Sequence, residues 1–159
     1  MSEARPPPSE EQAESILIEA ESAFEAGLID AARGLYREAS SLFTRLVEVA
    51  PDEARLGLYL AEASYCDFMV AYCEAVGLKE NIDRTIMSGG SASPTDTSRL
   101  KLLVKLADKC LREAVLRLDK LREKADEEVK KRMNEVVRMI GKKVDAFVEL
   151  RDEVDVLVR

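Results

Sequence analysis

Residues Pro94–Arg159 read PTDTSRLKLLVKLADKCLREAVLRLDKLREKADEEVKKRMNEVVRMIGKKVDAFVELRDEVDVLVR. After its first residue this stretch has no proline, and its one glycine is Gly141. Apolar side chains return at Leu103, Ala114, Ala125, Val136, Phe147 and Val158, spaced by eleven throughout. Eleven residues make about three helical turns, so the seam runs nearly straight, and the spacing predicts one very long, coiled-coil-like helix over 94–159, or two helices nearly end to end. Arg132 and Lys143 interrupt the seam where the repeat wants an apolar residue. Gly141 costs about 1 kcal/mol relative to alanine inside a helix and is the expected point of a bend.

Working outward, residues 78–93 read as a linker. Leu78, Ile82, Ile86 and Met87 suit a short helical turn, and Gly89–Ala92 is the expected peak of flexibility. Ser93, Pro94 and Asp96 form a helix-start signal, with a serine cap, proline at the first helical position and a carboxylate three residues after the cap. Upstream, 9–77 reads as an antiparallel three-helix bundle. Ser9 with Gln12 opens its first helix, Gly27 stops it, and Pro51, Asp52 and Glu53 suit the start of the third. That third helix is apolar around most of its circumference and needs neighbours on more than one side. Residues 1–8, with three consecutive prolines, read as a flexible arm.

Length turns this reading into a functional expectation. Sixty-six helical residues span about 99 Å and the 26 residues of 52–77 about 39 Å, leaving roughly 60 Å of apolar rod uncovered. An exposed strip of that size calls for a partner, and a second copy of the chain is the simplest one. Leu103, Ala114, Leu118, Val129, Val136, Ile140 and Phe147 are the expected interface, and a homodimer the expected assembly. A fold-back at Gly141 is the competing arrangement.

Charge is distributed unevenly. Residues 1–80 carry sixteen acids and six bases, residues 81–159 fifteen acids and eighteen bases, within a chain of net charge −7. The halves can attract each other, and general nucleic-acid binding loses support. Lys130, Lys131 and Arg132 form the densest basic run, but Asp126, Glu127 and Glu128 precede them by four residues each and pair with them along a helix. No stretch approaches a membrane span and no signal-peptide core opens the chain, so a cytoplasmic location is expected. Cys66, Cys73 and Cys110 lie in apolar surroundings and read as reduced core residues.

The chain has no histidine and no tryptophan. Histidine-activated nucleophiles, HExxH zinc sites and Glu-x-x-His di-iron sites are therefore excluded, and three cysteines alone do not complete a Cys/His zinc site. No glycine-rich phosphate-binding signature occurs. No catalytic, cofactor-binding or metal-ligating residue is assigned and no cofactor is expected. Carboxylates remain: Glu14, Glu21 and Glu25 share a face of the first helix, and Asp67 and Glu74 interrupt the apolar coat of the third. Asp67 and Glu74 are expected to meet Arg, Lys or water across an interface, as an interhelical charge pair first of all, with Lys101, Lys105 and Lys109 of the C-terminal helix among the candidates.

Around Gly27, Ile29, Ala32, Tyr36 and Ala39 the sequence resembles the turn and second helix of a tetratricopeptide unit, or of a microtubule-interacting-and-trafficking (MIT) domain. The helix lengths over 9–77 are more similar to the latter. The resemblance implies a three-helix unit that receives a helix in a groove, here the chain's own long helix at Leu103–Leu118, and it implies a protein or helical-peptide partner. The leading expectation is a soluble all-α scaffold, an antiparallel bundle that self-associates through its C-terminal helix. A membrane-associated trafficking adaptor and an inter-subunit carboxylate metal enzyme are the alternatives.

Overall fold

The computed structural model describes residues 8–157; the arm expected at 1–8 lies outside the described residues except for Pro8. Five α-helices form an antiparallel bundle: α1 Glu10–Glu25, α2 Ile29–Val47, α3 Glu53–Met87, α4 Pro94–Leu121 and α5 Glu127–Leu157. No strand occurs among the described residues.

Local chemistry sets the boundaries. Ser9 caps α1 by accepting from the Gln12 amide at 3.0 Å, Asp52 caps α3 through the Arg55 amide at 2.8 Å, and Ser93 caps α4 through the Asp96 amide at 3.2 Å. At the end of α1, Gly27 adopts φ 79°. Its amide donates to Phe24 and the Leu28 amide to Ala23, the two bonds of a Schellman turn that reverses the chain into α2.

α3 runs ten residues beyond the end expected at position 77. Nothing between Ala75 and Met87 forces a stop, Ile82 is buried, and Lys79 pairs with Asp83 and Glu153. Only residues 88–93 are left as the connection to α4, so the expected linker over 78–93 is mostly helix.

The expected 94–159 rod is two helices. The chain reverses at 122–126, not at Gly141, which sits inside an unbroken α5. Asp126 accepts from the Val129 amide at 2.9 Å and so caps a new helix. Arg55, at the start of α3, reaches Asp126 at 3.2 Å and Glu128 at 3.1 Å, and Lys124 reaches Glu53 at 3.2 Å. These contacts fasten the reversal to one end of α3. Gly57 admits Leu121 there: a Cβ on residue 57 would meet the leucine side chain at 3.1 Å. Burial of Val136, Ile140, Phe147, Leu150 and Val154 in α5 outweighs the cost of about 1 kcal/mol that Gly141 imposes.

α3 is the axis of the bundle. α2 and α4 run antiparallel along it, while α5 runs parallel to it in the groove beside α1. One continuous core contains buried residues of all five helices. At its centre Phe147 of α5 meets Phe68 edge-on at 5.2 Å and Tyr72 at 5.7 Å. Phe147→Ala should lower unfolding free energy by about 3–5 kcal/mol in urea titration, because the aromatic cluster would be left with a cavity.

Candidate functional site

Two buried ionic centres join α5 to α1 and α3, and they stand at the seam's two interruptions. Arg132 and Lys143 are eleven residues apart on α5, as are their partners Glu10 and Glu21 on α1. Each cation thus comes to the groove at its own level.

At the upper centre, the Lys143 ammonium donates to both carboxylate oxygens of Glu21, at 3.0 and 3.2 Å, and to the Tyr65 hydroxyl at 3.3 Å. The Tyr36 and Tyr65 hydroxyls also donate to Glu21. Burial, reinforced by the Glu21 charge, raises both phenols, so they remain protonated donors. The ammonium lies 5.4 Å from the centre of the Phe24 ring, adding a cation–π contact. Every charge in this centre is matched.

The lower centre is unbalanced. The Arg132 guanidinium faces three carboxylates, Glu10 and Glu14 of α1 and Glu62 of α3. Tyr59 donates to Glu10 at 3.0 Å. Glu62 is 2% exposed; one of its oxygens accepts from Arg132, and the other, Oε1, is buried without a hydrogen-bond partner. Burial, with Glu14 and Glu135 close by, pushes the Glu62 carboxyl well above the usual carboxylate range. Burial likewise raises Glu14, with Glu135, Glu11 and Glu128 adding to it. Arg132 is pulled down to about 10 by burial and stays charged at neutral pH. A cavity of about 340 Å³ opens beside this centre.

The other expected site residues are dispersed. Ala114, Leu118, Val129, Val136, Ile140 and Phe147 are buried in the chain's own core, and Leu103 is partly buried against it. The apolar rod expected to await a partner is therefore covered by the fold-back. Asp67 and Glu74 do not meet bases of the C-terminal helices. Asp67 accepts from Ser40 of α2 at 2.5 Å, and Glu74 pairs with Arg37 of α2 at 3.2 Å. The groove between α1 and α3 holds α5, whereas Leu103–Leu118 lies in α4, which packs along α3 from another side. The three cysteines are free and buried, with thiols raised by burial, Cys73 to about 12 and Cys110 to about 11.

Among the described residues, no group of three His, Cys, Asp or Glu side chains is placed to hold a metal ion. No helix among them is long and apolar enough to cross a membrane. Comparison of the chain with protein-family models, curated proteins and solved structures finds no match in any of the three.

Two outcomes test the ionic centres. Lys143→Met would leave Glu21 buried without its counter-ion, and should cost about 3–5 kcal/mol in chemical denaturation. For Glu62 the raised carboxyl means that the folded protein holds a proton the unfolded chain releases near pH ~4.3. Its contribution to stability is full below that pH and is lost as pH rises through the folded value. Melting temperatures of wild type and Glu62→Gln, compared from acid to neutral pH, should show the variant losing less stability as pH rises.

Proposed function

We propose that the protein is a helical scaffold that self-associates through the outer face of its C-terminal helices. The reading is supported by one observation: apolar side chains left exposed on α4 and α5 after the chain has folded. Leu102 is 66% exposed, Leu106 50% and Leu116 54%, with Val115 and Val137 close to these values. Isolated exposed apolar residues are ordinary, but these share a pattern.

On α4, Leu102, Leu106, Lys109, Glu113, Leu116 and Lys120 fall at steps of four, three, four, three and four, and so form one stripe along a helix. The stripe complements itself when reversed. A second α4 laid antiparallel about residue 111 sets Leu106 opposite Leu116 twice and Lys109 opposite Glu113 twice. Leu102 then lies along the aliphatic stem of Lys120. This is the geometry of a two-fold dimer, in which one patch serves both partners. The interface residues differ from the buried seam, but they belong to the same C-terminal half.

A second reading, a helical-peptide partner, is favoured by the cleft between α4 and α5. It measures about 530 Å³ and is lined by Val115, Leu118, Met133, Val137 and Ile140. A helix presenting an apolar face would fit it.

Sedimentation equilibrium over a concentration series separates the two. Wild type should show a dimer, Lys109→Glu should weaken it, and Lys109→Glu with Glu113→Lys should restore it, all with unchanged helical circular dichroism. A monomer at every concentration would overturn the dimer and leave the cleft as the surface to test.

A further inference from the structure

We propose that α5 is exchangeable between two copies of the chain: the reversal at 122–126 straightens into helix, and each α5 enters the groove between α1 and α3 of the other copy. This pairing is separate from the α4 contact proposed above. Its first support is the chemistry of the turn. Of the four connections that join the five helices, three carry residues that break a helix. Gly27, at φ 79°, ends α1, Pro51 precedes the start of α3, and Gly89, at φ 86°, leads towards Pro94 at the start of α4. The fourth reads Arg122-Glu123-Lys124-Ala125-Asp126. It has no glycine, no proline and no residue at positive φ, and its first four residues are strong helix formers. Arg122 already has helical dihedrals, φ −49° and ψ −42°.

The reversal is therefore imposed by contacts from outside the turn. Arg55 holds Asp126 and Glu128, and Lys124 holds Glu53, and all but Arg55 are more than half exposed. Exposed pairs of this kind contribute little each and are screened by salt. Straightening exchanges them, and the Asp126 cap, for the backbone hydrogen bonds that the last turn of α4 and the first turn of α5 leave unmade.

The second support is register. Leu118 and Leu121 of α4 face the core, as do Val129 and Val136 of α5, and Ala125 is partly buried between them. Steps of three, four, four and seven place these five residues on one side of a straight helix. Such a helix keeps α4 on its own α3 and presents the inward face of α5 to the α3 of a second copy. The eleven-residue repeat runs through the turn at Ala114, Ala125 and Val136, a continuity that a fold-back does not require.

Charge specifies the occupant. Arg132 meets Glu10 and Glu62, and Lys143 meets Glu21, so the groove carries acids at the two levels where α5 carries bases. Exchange reproduces these contacts across two chains, and the same buried interface serves monomer and dimer. An unrelated helix would need an arginine and a lysine eleven residues apart among apolar side chains.

Double electron–electron resonance on the whole chain tests the exchange. Spin labels introduced by Lys105→Cys and Asp145→Cys, at exposed positions, are close together on antiparallel α4 and α5 but about 60 Å apart along a straight helix. The native cysteines are buried. Labelled chain refolded at high concentration with excess unlabelled chain should give the long distance in the dimer fraction and the short one in the monomer. Arg55→Ala should raise the dimerisation constant roughly tenfold, since each dimer straightens two turns. Glu127→Pro is tolerated at the first position of α5 but barred inside a continuous helix, and should abolish exchange while the monomer keeps its circular dichroism. Ala125→Gly should weaken exchange in the same direction. Lys109→Glu, which disturbs the α4 contact, should leave it unchanged, so the two pairings fail independently. A short distance in every dimer fraction, a long one that survives Glu127→Pro, or no dimer of Arg55→Ala at any concentration would overturn the exchange.

Discussion

A helix of 35 residues that is apolar around most of its circumference must be surrounded, and α3 imposes that requirement on everything else in the chain. α2 and α4 cover two of its sides, and α5 with α1 covers the third. Small residues set how closely each neighbour comes, with Gly57 admitting Leu121 and alanines at 61, 63, 71 and 75 buried along its length. The reversal at 122–126 follows from the same demand. A straight C-terminal rod would have left one flank of α3 and its own seam both in water, and folding back covers the two at once.

Apolar burial alone does not determine how far α5 slides along α1 and α3. The two cations do. Arg132 and Lys143 share an eleven-residue spacing with Glu10 and Glu21, and sliding α5 would draw the buried Lys143 away from Glu21 and the Tyr65 hydroxyl. The upper centre, closed by two tyrosine hydroxyls, acts as a fixed pin. The lower centre couples the same register to a cavity and to a carboxyl that burial holds above its ordinary range.

Much of the architecture was legible from local chemistry. Ser9, Gly27 and Ser93 are start and stop signals whose hydrogen bonds involve neighbours within five residues, and each acts as its residue type suggests. What escaped depends on residues far apart in sequence. Asp126, Glu127 and Glu128 read equally well as partners of the following bases or as the cap and first turn of a new helix. Arg55, 71 positions away, favours the second. Gly141 drew attention as a weak point because its cost is local, whereas the packing that overrides it comes from α3 and α4 and from the ion pairs to α1. Arg132 and Lys143 stood out only as flaws in a repeat; their acids lie 70 to 122 positions away. Glu62, an acid between Ala61 and Ala63 in the apolar coat, was a visible signal of a buried charge, while its orphaned oxygen needed three helices in place to be seen.

The pairing of α5 with α1 has a consequence for the nascent chain. Glu21 meets its cation only after 122 further residues have been synthesised. Until then the first four helices leave the ribosome with a trench along one side, floored by Phe68 and Tyr72 and edged by carboxyl groups that lack their cations. Translation from N- to C-terminus thus makes α5 the closing stave of a barrel, and a product cut short near residue 121 would display to chaperones and proteases the aromatic floor that the finished molecule hides.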